Sequence, residues 1–145
     1  MQVRGLITGI DEDGKSCVVE DRELADFLTF MPGVGLNLIF ETSESPPPAR
    51  PIGHHDLLPT PSVPGLARWN LVELEPAREI PMHHTDTMDF NVVLSGNVNL
   101  VLEDGPHPLG PGDCVVVTGV DHAWHTGADG CRLSMVAIGT PSLLL

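Results

Sequence analysis

The stretch from Pro81 to Thr126 constrains the chain more than any other: PMHHTDTMDFNVVLSGNVNLVLEDGPHPLGPGDCVVVTGVDHAWHT. It is a succession of short, valine-rich apolar runs, cut by turn residues at Ser95-Gly96, Asp104-Gly105-Pro106 and Gly110-Pro111-Gly112-Asp113. Runs this short, punctuated this regularly, read as antiparallel strands and not as helices. Histidines stand at the two ends of the stretch, His83 and His84 at one and His122 and His125 at the other. In an extended chain they never meet. Strands that fold back on one another bring them together inside a barrel or sandwich, where alternate residues of each strand face inward.

Period two then assigns faces. Asp89, Asn91 and Val93 share one face of the strand 89–94, and His122, Trp124 and Thr126 share one face of 122–127. His83 goes with Thr85, while His84 points the other way and His125 points outward or into a dimer contact. In Arg68–Leu74 the two faces are Trp69, Leu71 and Glu73 against Arg68, Asn70, Val72 and Leu74. Alternation alone does not say which of these is inside.

Elsewhere, 2–20 reads as a hairpin around Asp11-Glu12-Asp13-Gly14, and Val34 to Thr42 as a strand. Residues 21–28 make at most one helical turn. Strands near 97–103, 107–109, 113–118 and 131–138 bring the total to about ten, with no long helix. Ser43 to Pro64 is broken by prolines, which remove backbone donors, so it reads as an ordered loop wrapping the barrel. His54-His55 lies in that loop, as a solvated pair or as part of a lid. Asp113, after Gly112 in a tight turn, is expected to bond neighbouring backbone amides and to be structural.

A chain of 145 residues is long enough for one real core, and we expect a single domain over 1–145. Its core barrel should lie at about 67–139, with N-terminal strands and the proline-rich loop in 1–66. The formal net charge is −13, from 20 acidic and 7 basic residues. Such a surface repels phosphate backbones and anionic lipid, so neither nucleic acid nor membrane is an expected partner. No apolar run approaches the ~18 residues of a membrane span. The N-terminal sequence lacks the basic-then-apolar pattern of a secretory signal, so a cytoplasmic protein is expected. Cys17, Cys114 and Cys131 show no CxxC spacing, and Cys114 and Cys131, in strands, read as buried reduced thiols. There is no GxSxG elbow, no phosphate-cradling glycine loop and no tyrosine. Acid–base work therefore falls to histidines, carboxylates and any metal-bound water.

Two spaced signatures resemble those of the cupins, small β-barrel proteins with a histidine-rich pocket. In the first, His83 matches the leading histidine, Asp89 the acid and Gly96 the closing glycine, while Thr85 stands where the second histidine belongs. Taking His84 as the second histidine instead puts Met82 in the first place. In the second, Gly112-Asp113, the strand 114–118, Gly119 and His122 follow the pattern, with Thr118 in place of the usual proline and Thr126 in place of the asparagine. The resemblance covers 67–139 well and the N-terminal half loosely.

The resemblance implies an all-β, double-stranded β-helix or jelly-roll barrel with little helix, and a homodimer. It implies one divalent transition metal (Zn, Fe, Mn or Ni) on His83, Asp89 and His122, with His84 as an alternative ligand. These three would carry catalysis, and Asn91, Trp124, Thr85 and Thr126 would contact a small-molecule substrate. The expected activity is that of a lyase or isomerase (decarboxylase, dehydratase or cyclase type) on a small oxo- or hydroxy-acid or a polyketide-like metabolite. The alternatives are a non-catalytic module binding a small molecule or metal, and a dioxygenase. A metal-free pocket in which the histidines act directly as acid and base competes with the metal site.

Overall fold

A computed structural model of the chain describes residues 2–48, 53–59 and 62–142. The described residues form ten strands and no helix: β1 (Arg4–Ile10), β2 (Ser16–Glu23), β3 (Leu28–Met31), β4 (Val34–Leu36), β5 (Ala67–Leu74), β6 (Glu79–His83), β7 (Thr87–Leu102), β8 (Gly105–Leu109), β9 (Cys114–Val117) and β10 (His122–Gly139).

The first hairpin forms as its turn chemistry dictates. Asp11 Oδ1 accepts from the amides of Asp13 and Lys15, both at 2.9 Å, and Gly14 takes the positive φ of 77° that closes the turn. The expected strand 34–42 is shorter, ending at Leu36. Asn37 peels the chain away because its side chain bonds elsewhere, accepting from Arg22 Nη1 at 3.0 Å and donating to the Asp26 carbonyl at 2.9 Å. β3 and β4 consequently form a small sheet of their own, with Phe27, Leu28, Phe30 and Met31 on the surface.

Two long strands organise the rest. The expected strands 89–94 and 97–103 are one strand, β7, and 122–127 and 131–138 are one strand, β10. Each pairs with different neighbours in its two halves. The segment 89–92 of β7 lies against β9, while 98–102 lies against β8. The segment 122–125 of β10 lies against β6, while 131–138 lies against β5. β7 and β10 run antiparallel to each other throughout, with a register break between Thr126 and Cys131. Each strand therefore serves both layers of a jelly-roll barrel, and the chain is bent where the ladder breaks.

Ser95-Gly96 is thus a kink inside a strand and not the turn it resembles in sequence. A glycine at positive φ serves both purposes, so composition cannot separate them. One pairing also departs from the antiparallel expectation: β1 runs parallel to β9, with Gly5 opposite Cys114 and Ile7 opposite Val116. Asp113 supports this join, its two carboxylate oxygens each accepting at 2.8 Å from the amides of Arg4 and Gly110.

Between the layers lies the main core, including Leu6, Val93, Leu100, Val115, Val117 and Leu133, all buried. A second cluster, Ile7, Met88 and Val116, sits on the outer face of the sheet, covered by Ile39, Phe40 and Phe90. The segment after β4 thus makes the other face of the sheet apolar as well. The cysteines are free; Cys131 is buried, whereas Cys114 is only half-buried. Burial raises all three thiols above their ordinary range, which suits inert residues. Among the described residues no helix is long and apolar enough to cross a membrane.

The kink supplies a test. Gly96 has φ 75°, and a β-carbon there would collide with the Gly130 carbonyl oxygen. Gly127, in the same bend of β10, has nothing within 4 Å of the corresponding position. Gly96→Ala should lower unfolding free energy by more than ~1 kcal/mol, whereas Gly127→Ala should change it by less than ~0.5 kcal/mol. Urea denaturation midpoints read the difference, and equal effects would refute the kink's role.

Candidate functional site

The ladder between β6 and β10 sets His83 opposite His122. Their ring centroids lie 4.4 Å apart at an interplanar angle of 54°. The Nδ1 of each ring is 2.8 Å from a carbonyl two residues earlier, that of Pro81 for His83 and that of Val120 for His122. A carbonyl can only accept, so both Nδ1 atoms carry hydrogen, and in the neutral rings the lone pairs are on Nε2. Burial, and then the neighbouring His83 ring, push the His122 imidazole down to about 4. It is therefore neutral near pH 7.

Inward positions of β7 and its approach supply the next layer. Thr85, Thr87, Asp89 and Asn91 alternate toward the interior, and all four are buried. Thr87 Oγ1 donates to Asp89 Oδ1 at 2.7 Å, which uses its one hydrogen. Thr85 Oγ1, at 2.8 Å, must then be the donor to Thr87. Burial nevertheless pushes the Asp89 carboxyl up to about 6, against the opposing pull of the Thr87 hydroxyl. Asn91 donates weakly to the carbonyls of Asp89 and Val115, both at 3.4 Å, and its Oδ1 is buried without a partner.

These groups form one side of a cavity of about 280 Å³. Leu58, Leu66, Val72, Leu74, Ile80, Trp124, Leu133 and Met135 make the rest mostly apolar. Trp124 meets His122 edge-on, with centroids 6.1 Å apart. Arg68 and Asn70 line the exposed end, which answers the question alternation left open: the Arg68–Leu74 face is the inner one. Among the described lining residues Arg68 is the one Lys or Arg, and its guanidinium has no hydrogen-bond or ion-pair partner among the described residues.

The structure thus collects His83, Thr85, Asp89, Asn91, His122 and Trp124 around one pocket. Thr126 is not among its lining residues. Its hydroxyl donates to the Glu75 carbonyl at 2.6 Å and accepts from the Arg78 amide at 2.9 Å, which fastens the turn between β5 and β6. His84 is likewise outside, facing Asp121 on the other side of the strand as period two required. His54 and His55 are exposed, as a solvated loop pair would be, while their backbone amides anchor the loop by donating to Asp121 at 2.5 and 3.3 Å. Residues 49–52 and 60–61 of the proline-rich stretch lie outside the described residues.

Sequence reading missed Thr87, although period two counted back from Asp89 would have found it. It missed Leu58 and Ser62 as pocket residues because nothing local says where a proline-rich segment lands. Among the described residues, the group of three whose ligand atoms all lie within 4.8 Å of one another is His55, Glu103 and Asp121, not the expected His83, Asp89 and His122. No sequence signal marks it, since its members come from three distant segments.

Parts of the chain are similar to known proteins. Over 64 residues the chain is 39% identical to the phomopsin biosynthesis cluster protein C' of Diaporthe leptostromiformis, covering 43% of this chain and 34% of that protein. Over 128 residues it is 29% identical to the cupin-domain-containing oxidoreductase fogC of Aspergillus ruber, covering 81% and 61%. The chain thus spans about a third of the first relative and three fifths of the second. Among solved structures, the polyketide cyclase RemF from Streptomyces resistomycificus is 29% identical over 49% of this chain and 53% of that one, with a TM-score of 0.46. The cupin domain family model matches residues 70–139, the strands from β5 through β10 that build the pocket, and over that stretch the chain is similar to cupins.

Proposed function

We propose that the pocket is the active site of an enzyme that rearranges or cleaves a small oxo- or hydroxy-acid, or a polyketide-like acid of similar size, in lyase or isomerase chemistry. The observation that carries this reading is the juxtaposition of two anchored imidazoles and one buried carboxylate in a cavity whose remaining wall is mostly apolar. The likeness to proteins of fungal biosynthetic clusters supports a specialised metabolite as substrate.

The chain's own groups divide the work by chemistry. Arg68, without a partner of its own, suits a substrate carboxylate, which its planar fork can hold through two parallel hydrogen bonds. The orphaned Asn91 Oδ1 is an acceptor suited to a substrate hydroxyl. The apolar wall around Trp124 and Leu133 excludes water.

The donor set also suits a divalent transition ion. Backbone carbonyls hold both Nδ1 atoms, the outer-shell arrangement usual for metal-bound histidine. His83 and His122 through Nε2, with the Asp89 carboxylate, would hold it, and when bound it would supply a Lewis acid for a substrate carbonyl. One observation favours a second reading without metal: the three ligand atoms do not close as a group within 4.8 Å, and Asp89 is engaged by Thr87. In that reading His122 Nε2 is the base and Asp89, with its raised carboxyl, the acid.

Four measurements test these roles. Protein purified without chelators should carry about one more equivalent of transition metal than His83→Ala or His122→Ala. Turnover of 2-oxo acids or cyclic enones should disappear with EDTA and with His122→Ala. Equal metal contents, with activity that survives EDTA, would leave the acid–base reading standing. Arg68→Gln should raise KM for an acid substrate about 10- to 100-fold with little change in kcat, the loss of one charge-assisted bond. An unchanged KM removes Arg68 from substrate binding.

Asp89 supplies the fourth. Its folded-state carboxyl lies above its ordinary value of 3.8, at about 6. Its protonated form thus favours folding below pH 4, and that contribution is lost as pH rises through 6. In chelator-treated protein, Asp89→Asn should raise stability at pH 7 by on the order of 2 kcal/mol and have little effect at pH 4, while activity falls at least ~100-fold. Destabilisation of equal size at both pH values would show that Asp89 holds the fold and does not strain it.

A further inference from the structure

Outside the pocket, a second set of ligand-type side chains meets where the strap 53–59 crosses the barrel. His55 Nε2 lies 3.7 Å from Glu103 Oε1, and one ligand atom from each of His55, Glu103 and Asp121 falls within 4.8 Å of the other two. Bonds of about 2.1 Å to a tetrahedral zinc ion put its ligands ~3.4 Å apart, so the His55–Glu103 pair stands near that spacing, with Asp121 within 4.8 Å of both.

The two carboxylates are held in place by backbone amides. Glu103 Oε2 accepts from the Ser16 amide at 2.7 Å, which leaves Oε1 toward His55. Asp121 accepts from the His54 and His55 amides, leaving two of its four lone pairs. Gly53 is glycine for the same reason, since a β-carbon there would strike the Asp121 carboxylate. Neither carboxylate has a lysine or arginine partner among the described residues. Two carboxylates this close, one of them fully buried, repel each other unless a cation stands between them.

A separate observation points to something missing. His84 is buried, its Nδ1 has no hydrogen-bond partner, and it faces Asp121 Oδ1 at 3.5 Å, too far for a hydrogen bond of ordinary length. An orphaned polar atom at that depth is rare unless an ion or water completes it.

We propose that His55, Glu103 and Asp121, with His84 against the same carboxylate, form a binding site for a divalent ion of the zinc class, distinct from the pocket between the layers. One imidazole and two carboxylates suit a borderline ion better than calcium, which takes six to eight oxygens. The site ties three segments: the strap, the turn after β7 and the entry to β10. Its reach into the pocket is short. The His84 amide donates to the Asp56 carbonyl at 3.1 Å, the Leu58 amide donates to the His84 carbonyl at 2.9 Å, and Leu58 lines the cavity. An ion on His55 therefore fixes the part of the strap that covers the active site.

The test uses the full chain, stripped with EDTA and dialysed against zinc alone, in the His83→Ala background so that the pocket pair is broken. One equivalent per chain should be retained, and His55→Ala or Glu103→Gln should each weaken it at least tenfold. His55 is exposed, and the glutamine oxygen can still accept from Ser16, so both variants keep the fold. Zinc should also slow hydrogen exchange at the Leu58 and His84 amides at least tenfold, and not in His55→Ala. Failure of the His83→Ala chain to bind zinc, binding that neither variant weakens, or exchange that zinc leaves unchanged would each overturn the site. None of these outcomes bears on metal in the pocket, which the wild-type and His83→Ala difference reads separately.

Discussion

The backbone ladder that holds β10 between its neighbours is the constraint on which the rest depends. It sets His122 opposite His83 on one side and runs beside β7 on the other, so one strand places both the histidine pair and the wall that carries Asp89. Side chains positioned by a ladder move only if hydrogen bonds break. The imidazoles are fixed a second time by their own Nδ1–carbonyl bonds. Orientation in the site is thus a property of the backbone, while the side chains contribute the chemistry.

The ionisable groups of the pocket are governed mainly by dehydration. The same burial moves Asp89 up and His122 down, because for each it disfavours the charged form. No arginine or lysine is paired with either among the described residues, and Arg68 stands at the exposed end. This separates the pocket from the cluster around Asp121, where charge is concentrated and left without a counterion. A chain with a net charge of −13 has few cations to spare, which makes an unpaired arginine in a cavity and an unpaired pair of carboxylates informative in opposite ways.

Much of this was legible from period two. The alternation Thr85, Asp89, Asn91, Val93 puts polar groups and an apolar anchor on one face, and the structure keeps that order. The pairing of the two histidine clusters was legible from the need to close a barrel. What was not legible depends on contacts between distant segments. The strand Arg68–Leu74 offers two plausible inner faces, and only its place beside β10 selects the one with Arg68. Gly96 looks like a turn because a kink and a turn ask the same of a glycine. The exposure of His54 and His55 was legible from their loop, but the anchoring of their amides was not, because the carboxylate that receives them is Asp121, far along the chain. Thr126 shares its strand face with Trp124, yet the turn at 75–78 claims its hydroxyl.

The parallel pairing of β1 with β9 also dictates an order of assembly. The hairpin of β1 and β2 is local and can close as soon as it is made, whereas its second edge pairs with residues 114–116. That edge stays open until β9 is in the sheet, and pairing across so long a loop carries the full entropy of closing it. Translation from the N-terminus therefore produces early a strand that must be placed late, and during that interval its open edge is the part of the nascent chain most prone to pair with a wrong partner.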